Sequence, residues 1–358
     1  MQIQFQLLGA VGAALLVAMV VSFILTPVVK TFAQKVGAVD VPKDDRRMHT
    51  HPIPRMGGLA IFFGFLIGVL IFVELSGPIK GMLLGAVVIV VLGIFDDIYA
   101  LGAKFKFCVQ IVAALIAVFS GNVIEVISNP NIFSSNPYWE LGVLAVPVTV
   151  IWIVAVTNSV NLIDGLDGLA CGVSTISSMS VLVIALAVSD SEVAFLMAAL
   201  AGACIGFIPY NLNPAKIFMG DTGSTFLGYV LAVVSIQGLF KFYTIVSFVV
   251  PFLMLGLPIF DTCFAFVRRI AHGQSPMHAD RSHVHHRLID MGLSQKQAVA
   301  CLYVISAILG LSAVVLTTAG PIKAMLLLFA LAAAGAVSSR IFLNVGDKQQ
   351  KKEKDKDE

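Results

Sequence analysis

Charge is what this sequence has least of. Asp, Glu, Lys and Arg make up 12% of its 358 residues, about half of the ~25% usual in a soluble domain. That shortage, beside 58% hydrophobic residues and a mean hydropathy of +0.94, excludes an ordinary soluble enzyme and points to a polytopic membrane protein. Cysteine is also sparse. The five residues Cys108, Cys171, Cys204, Cys263 and Cys301 lie scattered in apolar runs with no C-x-x-C pair, which argues against a disulfide framework or a zinc site. The N-terminal run "MQIQFQLLGAVGAALLVAMVVSFILT" lacks a basic leader and is too long for a signal-peptide core, so it reads as a retained first span.

What is present is a series of apolar segments. A helix needs about 20 apolar residues to cross ~30 Å of hydrocarbon. Candidate spans fall at roughly 5–26, 57–74, 79–95, 107–126, 141–160, 168–187, 194–211, 224–240, 245–267, 297–317 and 322–343. The expectation is therefore an all-α polytopic integral membrane bundle of about eleven transmembrane helices. No soluble domain, long linker or internal repeat interrupts it. Residues 1–343 read as one membrane domain and 344–358 as a mixed-charge, disordered tail. With the N-terminus outside and the C-terminus cytoplasmic, 20 of the 23 Lys and Arg residues fall inside, leaving Lys80, Lys241 and Lys323 outside, as the positive-inside rule requires. All seven histidines fall inside too, which gives polar chemistry one address, the cytoplasmic face.

Four acidic clusters sit at inner helix ends: Asp96 and Asp97 in "GIFDDIYALGAKFKF", Asp164 and Asp167 in "NSVNLIDGLDG", Asp221 in "NPAKIFMGDTGS", and Asp261 in "LPIFDTCFAF". Ionisable residues at membrane depth are costly and mark function by default. Asn158, Asn161, Asp164 and Asp167 are spaced by three, which predicts one slowly drifting helical face. Carboxylate and amide oxygens there suit Mg²⁺, which takes one or two carboxylates plus substrate phosphates. The glycine-rich "FMGDTGST" could bring helix-terminal amides to a phosphate. Basic loops at His49 with Arg46 and Arg47, and at His283, His285 and His286 with Arg281 and Arg287, read as anion clamps, or simply as topogenic basic loops. Metal ligands and anion clamps on one face suggest phosphoryl transfer between a lipid and a cytosolic substrate. A transporter would place its charges nearer mid-bilayer on repeated, broken helices, and a scaffold would leave the Asp, His and Gly motifs unexplained.

At residues 30–310 the chain resembles the polyprenyl-phosphate N-acetylhexosamine-1-phosphate transferases, the MraY/WecA/TagO group. "DVPKDDRRMHTHPIPRMGG", "FDDIYALGAKFK", "NSVNLIDGLDGLACG", "NLNPAKIFMGDTGS" and "HADRSHVHHRL" occur in that family's order. The resemblance implies a UDP-N-acetylhexosamine donor, with UDP-GlcNAc the first choice, and undecaprenyl phosphate as acceptor in a bacterial plasma membrane. It also implies Mg²⁺, with Mn²⁺ as an alternative. It puts Asp96 and Asp97 beside the acceptor phosphate, Asp221 on the metal with Asp164 and Asp167 near it, and Lys106 after the aspartate pair. Asn161 joins the substrate-binding group, Asn211 and Phe218 fall at the uridine, and His283, His285 and His286 face the donor phosphates. Arg46, His49, Arg281 and Arg287 complete the expected substrate contacts. The histidine run is broken by Val284, which favours a plain UDP-HexNAc over a muramoyl-peptide donor. The subgroup implies a role at the start of wall teichoic acid synthesis. A homodimer is compatible with the sequence, and no nucleic-acid partner is expected. Because a phosphate monoester is mostly dianionic at neutral pH, its second pKa being near ~6, no strong general base is required, and direct attack on the donor is preferred to a covalent aspartyl intermediate because nothing in the sequence shows a nucleophile poised in line.

Overall fold

The computed structural model describes residues 2–42, 51–128, 138–238, 246–271 and 283–329. Its helices are α1 (Gln2–Lys35), α2 (Gly58–Phe72), α3 (Gly77–Tyr99), α4 (Ala103–Phe119), α5 (Ala145–Leu162), α6 (Leu169–Ala187), α7 (Ser191–Asn211), α8 (Gly220–Gly238), α9 (Val246–Met254), α10 (Gly256–Ala271), α11 (Val284–Asp290) and α12 (Gln295–Ala319). Six helical segments, Gln6–Lys35, Gly77–Tyr99, Gly142–Leu162, Leu169–Ala187, Ser191–Asn211 and Gln295–Ala319, are long and apolar enough to cross a membrane. The architecture is thus that of a helical membrane protein. Most of the last expected span and the whole 344–358 tail lie outside the described residues.

Lipid is as apolar as leucine, so helices in a membrane associate by close packing rather than by hydrophobic burial. The sequence provides for that with small residues. Gly202 and Gly206 form a G-x-x-x-G step on α7, and a Cβ at either would run into the α1 backbone carbonyls of Leu15 or Met19. The two helices therefore pack backbone to backbone. Helix α8 is the buried centre, flanked chiefly by α3 and α5 and also by α2. All of its residues except Asp221 are buried, and it carries Gly, Ser, Thr, Ala and Val at most positions.

The expected span 245–267 is two helices, not one. Pro258 has no N–H to give Met254, four residues back. The freed Met254 carbonyl accepts instead from Ser177 Oγ of α6 at 2.7 Å. A proline and a serine on another helix thus break the run and satisfy it again.

Helix polarity alternates, so the C-termini of α1, α3, α5 and α7 meet the N-termini of α2, α4, α6, α8 and α12 at one end of the bundle. A two-stranded ribbon closes part of this end: β1 (Val39–Asp40) pairs antiparallel with β2 (Ile53–Pro54). A second ribbon, β3 (Val126–Ser128) with β4 (Tyr138–Glu140), lies between the C-terminus of α4 and the N-terminus of α5, at the other end.

Candidate active site

The site grows out of how α8 begins. Gly220 has a φ of +73°, and a Cβ there would meet the carboxylate of Asp97. Only glycine lets the chain turn into α8 at that distance. The first amides of the helix then point at Asp97: Asp221 N donates to Oδ1 at 3.0 Å and Thr222 N to Oδ2 at 3.1 Å. Thr222 Oγ1 adds a third bond at 2.7 Å. Asp97 is the anion at the positive end of α8, its side chain has no exposed surface, and the phosphate expected at these amides is replaced by a residue of the chain.

Asp96, its neighbour, ties α3 to α4. Oδ1 accepts from Leu101 N at 2.7 Å and Oδ2 from Lys106 Nζ at 2.9 Å. Lys106 also donates to Asp221 Oδ2 at 2.9 Å. Asp221 Oδ1 accepts from Asn161 Nδ2 at 3.2 Å, and the same amide donates to Ser224 Oγ at 2.8 Å. Lys106 and Asn161 thereby aim the Asp221 carboxylate, which stands at the wall of a cavity of about 410 Å³.

The "NSVNLIDGLDG" stretch is not one helical face. Helix α5 ends at Leu162, so Asn158 and Asn161 are helical while Asp164 and Asp167 lie in the turn before α6. Asn158 donates to Gln110 Oε1 of α4 at 2.6 Å and does not line the cavity. Asp164 does. Burial, and then the charges of Asp221 and Asp97, push its carboxyl up to about 8. Asp167 also lines the cavity, with Oδ2 accepting from Asn213 Nδ2 at 2.9 Å and Ala215 N at 3.0 Å. It pins the 212–219 loop that carries Phe218.

The cavity wall therefore holds Asn161, Asp164, Asp167, Asn211, Phe218, Asp221 and His286 of the expected residues. Asp96, Asp97 and Lys106 stand behind Asp221. Asn211 donates to Ile217 O at 3.1 Å, and its buried Oδ1 is left without a protein partner.

The three histidines separate in role. His283 Nδ1 pairs with Asp261 Oδ2 at 2.8 Å, and Asp261 Oδ1 accepts from Val284 N at 2.8 Å, so Asp261 fastens α11 to α10. His285 is buried and lies against Gly165, where a Cβ would strike its ring. Its burial, then His286, lower its pKa to about 4, so it is neutral and is no cationic clamp. His283 and His285 stand parallel at 5.8 Å, and His286 follows at 4.3 Å. Arg287 is exposed on α11 and is not at the wall. Arg46, His49 and Arg281 lie outside the described residues.

Among the described residues, no three His, Cys, Asp or Glu side chains gather as a self-sufficient metal-binding group. The donor set nevertheless fits Mg²⁺, which needs only one or two carboxylates and completes its shell with water and phosphate oxygens. Asp164 and Asp221 line one cavity.

Sequence reasoning missed Arg55, His51, Asn213 and Gln295 as wall residues. Asn213 links Asp167 to Gln295 Oε1 at 2.6 Å. For Arg55 the signal was its place just before Gly57 and Gly58 at the start of α2. It reads as one more topogenic charge until the fold brings it to Asp97.

Residues 79–239 match the glycosyl transferase family 4 profile. Over 309 residues the chain is 45% identical to the probable undecaprenyl-phosphate N-acetylglucosaminyl 1-phosphate transferase of Bacillus subtilis, covering 86% of this chain and 85% of that protein. The chain belongs to the polyprenyl-phosphate N-acetylhexosamine-1-phosphate transferase family. It shares 34% identity with the decaprenyl-phosphate N-acetylglucosaminephosphotransferase of Mycolicibacterium smegmatis, over 80% of this chain and 77% of that one. It shares 30% with the phospho-N-acetylmuramoyl-pentapeptide-transferase of Staphylococcus aureus, over 83% of this chain and 96% of that one. As a transferase of this family with six membrane-length helices, it is a multi-pass bacterial membrane protein.

Proposed function

We propose that this transferase moves GlcNAc-1-phosphate from UDP-GlcNAc to undecaprenyl phosphate, releasing UMP and forming a lipid-linked pyrophosphoryl sugar. The observation that carries the reading is the cavity. It joins an amide and an aromatic ring, Asn211 and Phe218, to the carboxylates Asp164 and Asp221 in a chain 45% identical to a GlcNAc-1-phosphate transferase. The unpartnered Asn211 Oδ1 is an acceptor suited to the uracil N–H, and Phe218 a surface for the ring. Eleven spans with the N-terminus outside, supported by the distribution of Lys and Arg, put this end of the bundle on the cytoplasmic side, where UDP-sugars are found. The product fits the first membrane step of an envelope polymer, with the wall teichoic acid linkage unit as the pathway inferred.

A phosphate oxygen of the dianionic acceptor attacks the donor phosphorus that bears the sugar. A new P–O bond forms, the bond to the bridging oxygen breaks, and that oxygen leaves on UMP. No proton has to be removed first. Asp164 and Asp221 are the residues to hold Mg²⁺, which when bound supplies charge neutralisation for the pyrophosphate and the leaving UMP. Lys106 and Asn161 keep Asp221 in position. The engagement of both Asp97 oxygens supports direct attack over an aspartyl adduct, because a nucleophile needs an oxygen free in line with the phosphorus.

The test is a purified, detergent-solubilised protein given undecaprenyl phosphate, Mg²⁺ and radiolabelled UDP-GlcNAc, with UMP release followed. Release dependent on both substrates is the expected result. Turnover only with another UDP-sugar changes the donor, and no turnover with any UDP-sugar sinks the reading. A sugar-phosphoryl adduct on Asp97 in denaturing mass spectrometry without acceptor would overturn direct attack.

A further inference from the structure

The carboxylates around the cavity need cations, and among the described residues Lys106 and Arg55 meet them differently. Lys106 is consumed: its ammonium bridges Asp96 and Asp221 at 2.9 Å each. Arg55 is not. It is the only Lys or Arg among the described residues lining the cavity. Its Nε lies 3.5 Å from Asp97 Oδ1, and a third of its side chain remains exposed. A guanidinium carries five N–H donors in a planar fork. Its Nε edge faces Asp97, and the residue lines the cavity.

The backbone around Arg55 is held on both flanks. Arg55 N donates to Ala38 O at 2.9 Å, Phe218 N to Pro54 O at 2.8 Å, and Gly57 N to Phe218 O at 2.9 Å. Arg55 therefore moves with the same loop that presents Phe218. Asp97 closes the arrangement from below, with one carboxylate capping α8 and steadying the guanidinium. A half-buried arginine that lines the cavity beside the expected metal ligands, a third of its side chain exposed there, is placed to meet an anion. Planar forks of this kind suit phosphate oxygens better than an ammonium does.

We propose that Arg55 is a phosphate-binding residue of this site, donating from its fork to a phosphate oxygen of a substrate in the cavity while Asp97 holds it in place. The inference rests on the phosphotransfer reading above. The phosphate is either the pyrophosphate of the donor or the monoester of the acceptor, and experiment distinguishes the two.

Arg55→Ala and Arg55→Lys are purified beside the wild type. Thermal shifts are read with UDP and, separately, with a short-chain prenyl phosphate, and initial rates are measured while each substrate is varied. The KM of one substrate rises about tenfold in Arg55→Ala, the size of one charge-assisted contact of ~1.4 kcal/mol, while the ligand-free Tm is little changed. Arg55→Lys falls between, and added guanidinium ion restores part of the lost rate. Loss of the UDP shift assigns the donor; loss of the prenyl phosphate shift assigns the acceptor. Wild-type KM values and shifts in Arg55→Ala overturn the inference. So does a rate loss that comes with a collapsed Tm and no guanidinium rescue, since that is a structural role. A wild type that binds UDP but transfers nothing defeats the functional reading alone, and the binding arm still judges Arg55.

Discussion

Asp97 and Asp221 carry the same functional group about one helical end apart, and the fold gives them opposite tasks. Asp97 accepts two backbone amides and a hydroxyl, whereas Asp221 is held by Lys106 and Asn161 at the cavity wall. Asp97→Asn turns an NH₂ toward groups that are themselves donors. It should lower stability by about 2 kcal/mol, the cost of a buried donor left unmatched, and reduce turnover as well. Asp221→Ala should abolish turnover with a smaller change in Tm, since Lys106 keeps Asp96 as a partner. Thermal unfolding in detergent, read beside UMP release, separates the two. His285 makes a pH prediction. Its folded pKa of about 4 lies below the ~6.5 of an unfolded histidine. The unfolded chain thus binds a proton first as pH falls. The stability held by the neutral ring is complete above about 6.5 and is lost toward pH 4. His285→Gln should flatten that part of the Tm–pH curve. If the slope is unchanged, the histidine is not the group responsible.

At the scale of elements, two contacts decide how helices meet. Ser177 of α6 serves the carbonyl that Pro258 leaves bare between α9 and α10. Ser177→Ala should cost about 1–2 kcal/mol, visible as a lower Tm. Gly165 lets the turn before α6 lie against His285 of α11. Gly165→Ala should push the histidine row away from the cavity, destabilising by roughly 1–3 kcal/mol and lowering kcat, and full activity in this variant would show that α11 need not sit there. Neither contact was legible in the sequence. "IDGLDG" shows small residues beside acids, but only the path of the chain brings residue 285 back to residue 165. The run 245–267 likewise reads as one apolar span: Pro258 lies within it, but the serine that satisfies the carbonyl it frees is 77 residues away in the chain.

For the whole molecule, the alternation of helices gathers every expected site residue the structure describes at one end of the bundle. Glu74, just past α2, belongs to the other end. Glu74→Gln should therefore leave UMP release near the wild-type rate, and a loss as severe as that of Asp221→Ala would refute the topology. In a cysteine-free background, Glu74→Cys should react with an impermeant maleimide on intact cells, and Lys216→Cys should not.

The sequence by itself determined the class: apolar runs of membrane length, basic residues biased to one side, and the motif acids Asp96, Asp97, Asp164, Asp167 and Asp221 gathered near helix ends. It did so because each of these follows from transfer between water and hydrocarbon, which acts residue by residue along the chain. Only the tertiary structure decided which acid faces the cavity and which caps a helix, which histidine stays neutral, and that Arg55 lies at the wall. Those roles depend on which N–H, carboxylate or ring stands within about 3 Å, and the partners, such as Asp97 and Thr222, lie 125 residues apart in the chain.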